Sequence, residues 1–216
     1  MKLIQLKRKI ETVSIRHRIE IVKIIINACE LLISNQFELL SNADDISDNE
    51  YPFILVDNMS RIFIFEDDKF FSIVFPLQIN IDKKYVSFLG NPISFGLLSI
   101  ISSVLCDFDE KRSIVELTDI ILDNYEYKAL LKEQQQTLEE LIEYLLSFET
   151  GYIRYDHDLK NYKKYRDMGK ENIHPEYHFD INYTSNATYK VGLEKSISME
   201  EFLDCINSET DCWFLR

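Results

Sequence analysis

The stretch His174-Pro175-Glu176-Tyr177-His178-Phe179-Asp180-Ile181-Asn182-Tyr183 brings together groups able to move protons: two imidazoles four residues apart, a carboxylate and an amide. Side chains two apart on a strand share a face. His178, Asp180 and Asn182 therefore point one way, and Tyr177, Phe179, Ile181 and Tyr183 point the other, as the core face. The connection Thr184-Ser185-Asn186 suits a hairpin that pairs Tyr183 with Ala187. In that register Asp180 lies opposite Lys190 and His178 opposite Gly192, with Thr188 on the same face. Such a face offers His178 as a general base, Asp180 to orient it and Lys190 to stabilise an anion, a set compatible with metal-independent phosphodiester cleavage. The plainer reading makes it the wet side of a hairpin, with Asp180 and Lys190 as a surface ion pair of small energetic value.

A zinc site on His174 and His178 would need both imidazoles on one helical face, and Pro175 removes that helix. A third ligand would then have to come from afar, such as His157 or Asp156. Neither a metal nor a cofactor is expected. The chain has no phosphate-binding glycine loop, no G-x-S-x-G and no H-E-x-x-H, so the common hydrolase and kinase signatures are missing.

With 216 residues, 46% of them hydrophobic and 28% charged, the chain lies in the globular range and can bury a sizeable core. A formal charge of −13 disfavours whole-surface attraction to nucleic acid or anionic lipid. Cys29, Cys106, Cys205 and Cys212 show no C-x-x-C spacing, which fits reduced thiols and a cytoplasmic protein. No run of about 18 apolar residues marks a membrane span. The basic start carries no apolar region with a small-residue cleavage site, so no secretory signal is expected.

The elements that must position the candidate face fall into blocks. Leu6, Ile10, Val13, His17, Ile21, Ile24, Cys29, Leu32 and Phe37 recur at mostly three- and four-residue steps, which predicts one long or broken helix over Leu3 to Leu40. An acidic loop follows at 41–50. Phe53 to Val56, Arg61 to Glu66, Phe70 to Phe75 and Tyr85 to Leu89 read as an antiparallel meander, with Asp57-Asn58 and Asp67-Asp68 as turns. Its continuous apolar runs imply cover on both faces. Asn91-Pro92 should open a helix through Phe108, and Ser113 with Glu116 a second reaching about Tyr125. Lys128 to Phe148 makes a third helix, ended at Gly151. Ser198 with Glu201 caps a last helix through Ile206, after which Cys212-Trp213-Phe214-Leu215 forms an apolar tail.

Charge is segregated along the chain. Lys2, Lys7, Arg8, Lys9, Arg16, Arg18 and Lys23 against Glu11 and Glu20 leave +5 on the N-terminal segment. Lys7, Arg8, Lys9, Arg16 and Arg18 are the candidate binding residues of a basic helix suited to a protein partner, to the acidic helices 113–149, or to another copy. Nucleic acid would be reached only through the partner or this helix. Arg154, His157, Lys160, Lys163, Lys164, Arg166 and Lys170 interleave with tyrosines in a pattern that could hold single strands. Asp156, Asp158, Asp167 and Glu171 dilute it to a solvated loop.

From His174-Pro175-Glu176-Tyr177-His178 through the hairpin to Leu193 and the helix Ser198 to Ile206, the chain resembles an uncharacterised bacterial family. That family is known as a domain of unknown function, is about this long, and is often encoded in anti-phage defence neighbourhoods. The chain departs from its pattern where Tyr189-Lys190-Val191 replaces an arginine-proline pair. The resemblance implies a place in a defence assembly and transfers no catalytic residue. The expected fold is a single α+β domain over 1–216, with 1–150 and 151–216 as sub-structures. An N-terminal helix and a central helical bundle pack on an antiparallel sheet, and the C-terminal hairpin extends that sheet or forms a second one. The expected function is a non-catalytic accessory or interaction subunit of a bacterial anti-phage defence or toxin-antitoxin assembly, bound to the product of a neighbouring gene. A ribonuclease-like effector with His178 as general base is the alternative.

Overall fold

The computed structural model describes residues 2–10, 15–41, 51–56, 60–66, 69–108, 114–184, 186–207 and 210–213. The expectations placed on Glu11, Val13, the tract 42–50, Asp57-Asn58, Asp67-Asp68, Ser113, Ser185, Phe214 and Leu215 lie outside these residues.

The fold is α+β, built on an antiparallel eight-stranded sheet. Its strands in chain order are β1 (Lys2–Leu6), β2 (Phe37–Leu40), β3 (Phe53–Val56), β4 (Arg61–Glu66), β5 (Lys69–Val74), β9 (Ile153–His157), β10 (Tyr177–Ile181) and β11 (Tyr189–Leu193). They lie in the spatial order β11-β10-β9-β5-β4-β3-β1-β2. A smaller sheet joins β6 (Gln78–Asn80), β7 (Tyr85–Phe88) and β8 (Asn91–Pro92). The hairpin extends the large sheet through β9, which pairs on its other side with β5.

The N-terminal stripe is divided between helix and sheet. The helix α1 covers Arg18–Ile33, while Lys2–Leu6 and Phe37–Leu40 are strands paired with each other. Leu3, Ile4, Gln5 and Leu6 are all buried because β1 runs between β2 and β3, with a core on each face. A short apolar run of this kind fits a doubly covered strand as well as a helix. The β-branched run in α1 stays helical because Ile21, Val22, Ile24, Ile25, Ile26, Leu31 and Leu32 are buried nearly all round, so packing overrides local preference.

One face of the sheet carries Ile4, Leu6, Ile54, Ile62, Ile64, Phe71 and Ile73 against α1, α2 (Phe95–Asp107) and α5 (Lys132–Ser147). Ser94, rather than Asn91, caps α2, its hydroxyl accepting from the Leu97 amide; Asn91-Pro92 belongs to β8. The third helix begins at Lys132, preceded by α3 (Ile114–Asp123) and the short α4 (Tyr125–Lys128). The other face carries Leu3, Phe53, Leu55, Phe63, Tyr155 and Phe179. It is covered by α7 (Met199–Ile206), whose Phe202 is fully buried against Phe63, Phe70 and Phe179. Ser198 and Glu201 make the expected capping box there. The helix α6 (Leu159–Arg166), between β9 and β10, carries no buried residue. No described helix is long and apolar enough to cross a membrane.

Candidate functional site

The predicted register holds: His178 lies opposite Gly192 and Asp180 opposite Lys190, while Tyr177 and Phe179 take the other face. Two features depart from the expected wet ribbon. The strand ends at Ile181, and Asn182, at a left-handed φ of 66°, turns Tyr183 toward the helix-covered core instead of the α7 side. More consequentially, the His178–Asp180 part of the polar face is buried, while Asn182, Thr188 and Lys190 remain exposed. The His178 side chain has no exposed surface, and that of Asp180 only 9%. The third strand β9 accounts for part of this, because it places Asp156 beside His178 and Arg154 beside Asp180.

These residues form one charge network across three strands. The Arg154 guanidinium donates to both Asp156 oxygens at 2.6 and 2.7 Å and to Asp180 Oδ2 at 2.6 Å. The Lys190 ammonium donates to Asp180 Oδ1 at 2.6 Å and to His178 Nε2 at 2.7 Å. His178 Nδ1 donates in turn to the Pro175 carbonyl at 2.9 Å, which fixes the tautomer and leaves Nε2 as the acceptor. Two acids and two bases balance, as a buried cluster requires. Burial pushes the His178 pKa down and Lys190 adds to this, against Asp156, Asp180 and the Pro175 hydrogen bond. Burial also works against the charge on Arg154, but hydrogen bonding to Asp156 and the surrounding charges raise its pKa.

The segment that closes the face is the 3-10 turn Glu171–Ile173 with His174 and Pro175. Gly192 makes room for it: a Cβ there would come within 2.9 Å of Pro175 Cγ. His174 stands edge-on to His178 with ring centroids 4.9 Å apart, stacks on Tyr165, and holds Asp158 at 2.9 Å. Asp158 also caps α6 through the Asn161 amide, so the cover is tied to that helix. His174 and His178 thus meet through their rings without sharing a ligand, and His157 faces Glu176 instead.

Beside the network a cleft of about 270 Å³ is lined by Ile15, Arg16, Tyr152, Arg154, Asp180, Asn182, Tyr183 and Thr188. It joins one predicted binding residue, Arg16, to the candidate face. The rest of the expected basic helix is dispersed. Lys7, Arg8 and Lys9 sit on the exposed bend after β1, Arg16 precedes α1, and Lys7 lies 3.4 Å from Glu38. Arg18 is inside α1, where it donates to the Phe148 carbonyl at 2.6 Å and covers the Phe148 ring. The physical reason is the strand β1, which takes these bases away from helical spacing. All four cysteines are free, with Cys29 buried but Cys106 and Cys212 exposed.

The sequence offers Asp156 only as a distant metal ligand beside His174 and gives no sign that Arg154 joins the site, because strand pairing over long separations leaves no local pattern. Gly192 signals the cover alone: a glycine opposite a histidine in the deduced register marks a close approach, here that of Pro175. Comparisons with family models, curated proteins and solved structures find no match to this chain.

Proposed function

We propose that the chain is a non-catalytic interaction subunit, of the kind that serves bacterial anti-phage defence or toxin-antitoxin assemblies, and that it holds a protein partner on the outer face of α3. One observation carries the reading. Val115 and Leu122, two turns apart on α3, are 70% and 48% exposed, and Tyr125 just beyond is 84% exposed. The opposite side of α3 is used internally through Leu117 and Ile121. Next to this apolar stripe, Asp107, Glu116, Asp119 and Asp123 gather around a cleft of about 350 Å³, with Lys128 at 3.8 Å from Asp123. An apolar stripe edged by carboxylates suits a partner segment that is itself apolar on one side and basic on the other.

The test is coexpression with the product of the adjacent gene, followed by size-exclusion chromatography. The pair should coelute, and Leu122→Asp with Tyr125→Asp should separate it while leaving the melting temperature of the isolated chain unchanged. A chain that stays solitary, or a complex indifferent to both substitutions, would overturn the reading. The ribonuclease alternative requires His178 Nε2 to part from Lys190 and reach a substrate, although the imidazole is buried and held at both nitrogens. Unchanged cleavage by His178→Ala would end that alternative.

A further inference from the structure

The buried cluster has a second chemical reading that is independent of the partner surface. Among the described residues, Asp156, His178 and Asp180 each present one ligand atom within 4.8 Å of the others. His178 Nε2 stands 3.6 Å from Asp156 Oδ2 and 3.9 Å from Asp180 Oδ1. Ligands at ordinary zinc distances in a tetrahedral site lie roughly 3.4 Å apart, so the two edges that meet at His178 need to contract by only a few tenths of an ångström, and the edge between the carboxylates closes from no more than 4.8 Å.

The surroundings are those a metal-bound histidine uses. The Nδ1 proton of His178 goes to the Pro175 carbonyl, which aims the unprotonated Nε2 into the triangle, and Arg154 orients both carboxylates by hydrogen bonds to Asp156 and to Asp180 Oδ2. A cation already lies there: the Lys190 ammonium touches two of the three ligand atoms, at 2.6 and 2.7 Å. Lys190 comes from the edge strand β11 and its side chain is 32% exposed, so a rotamer change can return it to water without moving the sheet. Asp180 lines the adjacent cleft, which supplies a route in for an ion.

We propose that Asp156, His178 and Asp180 form a site for one divalent transition ion of zinc-like chemistry, with the Lys190 ammonium as its built-in competitor. One imidazole and two carboxylates suit such an ion better than they suit calcium or magnesium, which prefer oxygen alone. Exchange of one ammonium for Zn2+ adds a single positive charge to a cluster that is otherwise balanced. The ion ties β9 to β10 and frees Lys190.

The test is calorimetric titration of the full chain with Zn2+, together with Co2+ absorption to read the coordination. The wild type should take up one ion per chain, and Co2+ should give the visible bands of a low-coordinate nitrogen and oxygen site. Lys190→Met should tighten binding by about tenfold or more, and His178→Ala and Asp156→Asn should weaken it by at least the roughly 10- to 100-fold that loss of a mere outer-shell partner costs. Should either of the latter fail to fold, Zn2+ titration of the wild type followed by histidine ring NMR decides, because the His178 ring signals must shift first. No uptake by the wild type at Zn2+ on the order of 1 mM overturns the proposal. So does uptake by Lys190→Met alone, which would make the lysine a permanent occupant, and so does binding that leaves the His178 signals unmoved.

Discussion

Arg61 and Arg154 are both guanidiniums taken out of water by the same sheet, on opposite faces, and the protein treats them differently. Arg154 is enclosed by carboxylates and its pKa rises. The hydrogen bonds of Arg61 go to neutral oxygens, the Ser72 hydroxyl at 2.9 Å and the carbonyls of Ser72 and Gly151. Burial alone pulls the Arg61 pKa down to about 10, still far enough above neutrality for the charge to persist. The first arginine belongs to a mutual charge network in which each member depends on the others. The second is a single desolvated cation, tolerated because backbone dipoles solvate it. Removing a member should therefore cost far more in the network than at Arg61.

The largest effect should come from Asp180→Ala, which leaves Arg154 and Lys190 facing each other without their shared carboxylate. Urea unfolding should show a loss of about 3–5 kcal/mol. A loss under about 1 kcal/mol would mean that the network is solvated in the manner of a surface pair. At the other arginine the sensitive residue is the backbone partner. Gly151 has a φ of 52°, and a Cβ there would lie 3.0 Å from Arg61 Nη1 and 3.1 Å from Val74 Cγ2. Gly151→Ala should cost about 1–3 kcal/mol through backbone strain and displacement of the guanidinium. Arg61→Met should cost less still, within about 1.5 kcal/mol, because the lost hydrogen bonds are offset by the relieved desolvation of a lone charge. Equal losses for Asp180→Ala and Arg61→Met would erase the distinction between the two regions.

The sequence disclosed these regions unequally. Strict alternation and a short connection were enough to place Asp180 against Lys190 and His178 against Gly192, because hairpin register is a local property. Phe53–Val56, Arg61–Glu66 and the capped helix ending at Ile206 were equally legible, each bounded by local signals. Burial was not. The cover over His178 depends on β9 pairing with β5 across more than eighty residues, Phe70 to Tyr155, and on the 171–175 segment folding onto Gly192. Neither leaves a periodicity. The same limit made Leu3–Leu6 look helical, since its strand identity comes from partners at 37–40 and 53–56. Arg61 is inconspicuous for the converse reason: one base at the start of an apolar strand resembles an ordinary exposed end.

The smallest expected effect is also the most diagnostic of the contrast, and it concerns pH in the metal-free protein. His178 is kept neutral by burial and by Lys190, while Asp156 and Asp180 at 3.6 and 3.9 Å favour its charged form, so opposing influences limit the net shift. Its pKa in the fold lies below the ordinary 6.5 that it regains on unfolding. As pH falls below about 6.5 the unfolded chain therefore binds a proton that the folded chain still refuses. The stability is present in full above that pH and declines as pH drops toward the lowered folded value. Urea midpoints measured between pH 7 and 5 should fall in the wild type and in Arg61→Met alike, because no titration in this range belongs to Arg61. In Lys190→Met the decline should shrink, since removing the ammonium lets the folded imidazole accept its proton at higher pH. A wild-type decline that survives unchanged in Lys190→Met would show that the ammonium does not govern His178, and the coupling that separates this network from the solitary arginine would be lost.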